Sequence, residues 1–173
     1  MSNNPLKSTN IMGIETIIQE IATILTNRKE TLCTAESCTG GMLAAAFTSI
    51  PGASEYFKGG IISYTYDVKN NLLGVPLEDL EKYGAVRSEV ALQMAVGAKE
   101  QMQSTYSIST TGVAGPGGGS PDTPVGSVWV GLTSPNETYT KLLHLSGDRK
   151  QIINSAREEA IRLFRDLLNR TNH

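Results

Sequence analysis

Helix-period and strand-like segments alternate along this chain, and a hairpin follows them. Apolar residues at Ile14, Ile17, Ile18, Ile21, Ile24 and Leu25 recur at i, i+3, i+4 and i+7, which predicts an amphipathic helix over 13–28. Residues 30–35 then read as a short strand, 40–50 as a helix of small apolar residues stopped at Pro51, and 57–67 as the site of a second strand. Short helices are expected over 68–74 and 76–84, each ended by a glycine, and a longer one over 88–103 with Ser88 as its cap. A third strand over 106–112 runs into a Gly/Pro loop, 113–124. Residues 125–134 and 137–146 pair as a hairpin, and Asp148 caps a closing helix over 148–169. Strands separated by helices demand crossovers, and the crossover helices must bury their apolar faces on the sheet. The expected fold is α/β: a three-layer α/β/α sandwich on a mixed, mainly parallel sheet of about five strands. A single domain over 13–170 is expected behind a flexible tail, 1–12.

Composition narrows the function. The net charge is −2, the two signs are mixed, and only 6% of residues are aromatic, so nothing marks a nucleic-acid surface. The longest apolar runs fall far short of the roughly 20 residues a membrane span requires. The opening residues lack an apolar signal core. The two cysteines, Cys33 and Cys38, read as reduced thiols of a cytoplasmic protein rather than a disulfide framework.

In such sheets ligands bind beyond the carboxyl ends of the parallel strands. Two unusual segments start there: "ESCTGG" (36–41) and "GVAGPGGG" (112–119). In the first, a strand turns into a helix opened by Gly40 and Gly41. Free N–H groups and the positive end of the helix dipole would favour an anion or a developing oxyanion. Ser37 stands at the rim. A plain N-cap is the competing structural reading. The segment has neither the Gly-x-Ser-x-Gly elbow nor the Walker spacing. Cys38 is the rival nucleophile, against a reading as a small apolar filler. The chain has two histidines, His144 on a strand and His173 at the end, so a Ser–His–Asp triad is poorly supported. A desolvated lysine or a tyrosine can serve as base instead, and Tyr64 and Lys69 follow the neighbouring strand. For Lys69 the bland reading is a solvated lysine at a helix start. The glycine loop can let backbone approach a ligand or can be plain surface, and it is no dinucleotide fingerprint. Arg149 suits bidentate recognition of a phosphate or carboxylate, or is a lone surface arginine.

The segments "TAESCTGG", "IPGASEYFKGGIISYTYDVK", "GAVRSEVALQMAVGA", "TTGVAGPGGG…PVGSVWVGL" and "GDR", in this order over about 14–168, resemble the CinA C-terminal domain family, the nicotinamide-nucleotide amidohydrolases. The resemblance implies hydrolysis of the carboxamide of nicotinamide mononucleotide (NMN) to nicotinate mononucleotide and ammonia, in pyridine nucleotide salvage. By position it makes Ser37 the nucleophile and Lys69 the base, with Tyr64 beside them. It adds Ser54 and Arg149 as substrate contacts; Thr39, Gly40, Gly41, Gly112 and Gly115 are the further candidate contacts that the two loops themselves offer. Where the family often carries a further serine, this chain has Ala53. No cofactor or metal is implied, and the expected assembly is a homo-oligomer. The N-terminal pyrophosphatase-type domain of longer members is missing, so a stand-alone deamidase is expected. A module of the same fold that binds a nucleotide or a partner without turnover is the alternative.

Overall fold

The structure, a computed structural model, describes residues 13–171. The expected tail 1–12 and His173 lie outside the described residues. The elements run α1 (Ile14–Arg28), β1 (Leu32–Glu36), α2 (Met42–Thr48), a 3₁₀ turn (Ala53–Glu55), β2 (Phe57–Ile62), α3 (Tyr66–Leu73), α4 (Leu77–Tyr83), α5 (Ser88–Met102), β3 (Tyr106–Gly112), β4 (Ser127–Thr133), β5 (Thr138–His144) and α6 (Arg149–Arg170). The sheet order is β2-β1-β3-β4-β5. β1 pairs in parallel with β2 and β3, and the β4–β5 hairpin adds two antiparallel strands. This is the three-layer sandwich on a five-stranded mixed sheet that the alternating pattern predicts.

All of β1 is buried, as a strand covered on both faces must be. Its side chains alternate between two cores. Leu32 joins Ile17, Ile21, Leu25, Phe47, Phe164 and Leu167 under α1, α2 and α6. Cys33 and Ala35 join Leu73, Leu80, Val90 and Met94 under α3, α4 and α5. The chain leaves β1 through α2 to reach β2 on one side, and returns through α3, α4 and α5 to β3 on the other. The carboxyl end of β1 is therefore the point where the winding reverses, and a crevice opens there.

Local chemistry moved several boundaries. α2 begins at Met42, not at residue 40, because Gly40 and Gly41 take positive φ of 57° and 100°. α3 begins at Tyr66, two residues early, which places Lys69 inside a helical turn. Ser88 is not the cap of α5. The extended Arg87 takes that position, and the Ser88 hydroxyl donates to Glu89 Oε2 at 3.1 Å. Asp148 does cap α6: it accepts from the Gln151 amide at 2.9 Å while the Gln151 side chain accepts from Asp148 N at 2.8 Å. None of the helices among the described residues is long and apolar enough to cross a membrane.

Candidate active site

β1 ends in a carboxylate, and that carboxylate explains the turn after it. Glu36 is buried, and its oxygens accept from the backbone amides of Gly41 (3.0 Å), Leu43 (3.0 Å) and Ala44 (2.8 Å). The Thr39 hydroxyl donates to the same group at 2.6 Å and lies 2.7 Å from the Thr110 hydroxyl. The start of α2 is thus an anion site whose anion is internal. This corrects the expectation that Gly40 and Gly41 offer a free cup to a ligand. Thr39 and Gly41 build the turn, and neither they nor Gly40 line the crevice. Gly41 must be glycine here, because its φ of 100° suits no side chain and a Cβ would stand 3.0 Å from Ile62.

The clamped turn fixes Ser37. Its amide donates to Thr110 O at 2.9 Å, and its side chain is 9% exposed at the crevice floor. Lys69 reaches it from α3: Nζ lies 2.9 Å from Ser37 Oγ, 2.6 Å from Ser63 O and 3.5 Å from Tyr64 O. Lys69 is 1% exposed, and burial lowers its pKa to about 8. The three neighbours set the geometry of its neutral form. Carbonyl oxygens only accept, so the two N–H bonds point at Ser63 and Tyr64 and leave the lone pair for the Ser37 hydroxyl.

Cys38 also borders the crevice, but it is set into the core. Its side chain is 7% exposed and packs in the core beneath α1, α2 and α6, and burial pushes its thiol up to about 12. A thiol so protonated is a poor nucleophile, as the reading of Cys38 as an apolar filler holds. Both cysteines are free.

The crevice holds about 300 Å³ and is lined by Ser37, Cys38, Lys69, Tyr64, Gly112, Gly115 and Arg149, with Tyr66, Val86 and loop residues Val113, Ala114, Gly117 and Gly118. Arg149 spans the mouth. Its NH1 donates to Gly115 O at 2.7 Å and its NH2 to Tyr64 Oη at 2.9 Å. Gly112 lets β3 and β4 close at the floor, since a Cβ there would meet Ser127 O at 2.6 Å. The amides of Cys38 and Ala114 meet no backbone carbonyl among the described residues. Ser54 is not brought in. It is exposed in the 3₁₀ turn before β2, at the amino end of the parallel strands, opposite the crevice. His144 is exposed on β5 and does not line the crevice. Among the described residues no group of three or more His, Cys, Asp or Glu side chains is gathered as a metal site.

Glu36 and Tyr66 are the residues the sequence reading passed over. For Glu36 the signal was available: an acid ending an apolar strand, five residues before Gly41 at the mouth of a helix.

The chain matches the CinA C-terminal domain over residues 14–168. A CinA-like protein of Dictyoglomus thermophilum is 45% identical over 139 residues, 80% of this chain and 34% of its own length. A CinA-like protein of Nostoc punctiforme is 48% identical over 133 residues, 77% of this chain and 32% of its own. The chain thus spans about a third of the length of these curated relatives. Among solved structures, a competence/damage inducible protein of Agrobacterium tumefaciens superposes with TM-score 0.86 at 36% identity, covering 98% of this chain and 99% of that one. A CinA superfamily protein of Escherichia coli superposes with TM-score 0.85 at 32% identity, covering 96% and 95%.

Proposed function

The chain belongs to the CinA C-terminal domain family, and from that premise we propose that it is a serine amidohydrolase that converts NMN to nicotinate mononucleotide and ammonia. The observation that carries the reading is the 2.9 Å contact between Ser37 Oγ and a lysine buried enough to deprotonate near neutral pH. The substrate comes from the family resemblance, and the crevice suits it: hydroxyl and amine at the floor, a guanidinium and the glycine loop at the mouth.

Neutral Lys69 takes the proton of Ser37, and Oγ attacks the carboxamide carbon. The Cys38 amide, next in chain to the nucleophile, and the Ala114 amide are the donors offered to the oxyanion. Lys69 returns the proton to the leaving nitrogen, the C–N bond breaks, and ammonia departs. Lys69 then accepts a proton from water, which opens the acyl ester and restores the Ser37 hydroxyl. Arg149 keeps donors beyond those given to Gly115 and Tyr64, since a guanidinium carries five N–H bonds. These donors and the amides of Gly117 and Gly118 are the partners for the ribosyl phosphate.

The test is ammonia release from NMN by the purified chain with EDTA present. Stoichiometric ammonia and nicotinate mononucleotide are expected. Binding of NMN without product would make this a nucleotide-binding module instead.

A further inference from the structure

One wall of the crevice has no part in the proton transfers. Tyr66 opens α3, three residues before Lys69, so the two side chains are neighbours on one helix face. Its ring lines the crevice and is 39% exposed. Its hydroxyl lies 3.9 Å from where a Cβ would stand on Gly84, and Ala85 and Val86 of the same turn also line the crevice. The ring therefore reaches from the start of α3 to the turn before α5, and with Tyr64, whose hydroxyl is engaged by Arg149, it is one of two tyrosines lining the crevice.

We infer that Tyr66 reads the ring that bears the scissile amide, so that the site prefers planar aromatic carboxamides to aliphatic ones. The inference rests on the amidohydrolase reading above. An amide carbon held at Ser37 Oγ, next to Lys69, must project its substituent past the residue one helical step away. A flat heteroaromatic ring there covers the Tyr66 face and gains stacking, whereas a short aliphatic chain leaves that face wet. Arg149 and the glycine loop hold the phosphate at the mouth, and Tyr66 sorts what lies between phosphate and amide.

The experiment measures binding by titration calorimetry in the full chain carrying Ser37→Ala, which prevents turnover. The probes are NMN and ribose 5-phosphate, which lacks the ring. Tyr66→Ser is expected to weaken NMN about tenfold, as loss of one stacked ring does elsewhere, and to leave ribose 5-phosphate unchanged. Tyr66→Phe keeps the ring and should bind NMN within about twofold of the parent. Unchanged NMN affinity in Tyr66→Ser would overturn the inference. So would an equal loss for ribose 5-phosphate, or a Tyr66→Phe variant as weak as Tyr66→Ser. Wild-type protein that turns over NMN while Tyr66 proves irrelevant sinks this inference alone. Ring-dependent binding without any hydrolysis overturns the amidohydrolase reading, and with it the selection among carboxamide substrates, and supports only the stacking of Tyr66 on the ring.

Discussion

Lys69 Nζ and Ser37 Oγ stand 2.9 Å apart, and a second bond of 2.6 Å to Ser63 O fixes which way the amine points. A lysine held by two carbonyls has one orbital to spare, and here it faces a hydroxyl. With burial lowering the Lys69 pKa to about 8, a useful fraction is neutral near pH 7.5.

Activity should follow that ionisation. kcat/KM for NMN is expected to rise with pH through an apparent pKa near 8, the value of Lys69 in the free protein. Lys69→Arg, which stays protonated, should lose about 10³-fold in kcat with its fold intact by circular dichroism. A flat pH profile together with an active Lys69→Arg would move the base elsewhere, with Tyr64 next.

The same burial costs stability. Lys69 binds its proton less tightly folded than unfolded, so between pH 8 and 10.5 the unfolded chain holds more protons. Stability from this group therefore rises with pH across that window. The penalty is fully present below it, and a shift from 10.5 to about 8 corresponds to roughly 3 kcal/mol. Lys69→Met removes the titration. The stability of the wild type relative to this variant should increase from pH 7.5 to pH 10 in urea unfolding. A pH-independent difference would contradict it.

Arg149 joins Gly115 O and Tyr64 Oη across the mouth, a two-point span that a single ammonium cannot reproduce. Arg149→Lys should raise KM for NMN about tenfold and shrink the preference for NMN over nicotinamide riboside. Equal kcat/KM for the two substrates in wild-type protein would remove the phosphate from this end of the crevice.

Glu36 should be a stability residue first. Glu36→Gln replaces one carboxylate oxygen by an N–H₂ group, which turns a donor toward at least one backbone amide that needs an acceptor, and should cost about 3 kcal/mol by thermal or urea unfolding. An unchanged melting temperature would show that the turn does not depend on this carboxylate.

The layered fold was legible because its signals are local. The apolar period of α1, the alternation around β1 and the turn at Pro135–Asn136 each act over a few residues. Placing Lys69 was harder. Its spacing alone reads as a solvated helix-start lysine, and only the packing of α3 on the sheet buries it. Ser88 misled because a good capping residue one position inside a helix looks the same in sequence as a cap. The Gly40–Gly41 helix start promised a ligand cup, but a tertiary partner, Glu36, takes its amides. The substrate was legible only through resemblance, since no residue spacing spells an amide.

The central claim is that Ser37, not its neighbour Cys38, is the nucleophile, and rapid-quench intact mass spectrometry with NMN tests it most directly. The wild type and Cys38→Ala should both accumulate or turn over a nicotinoyl-nucleotide ester mapping to Ser37. Ser37→Ala should form none and lose about 10³-fold or more in ammonia release. A thioester on Cys38, or a Ser37→Ala variant that keeps its turnover while Cys38→Ala is dead, would contradict the account.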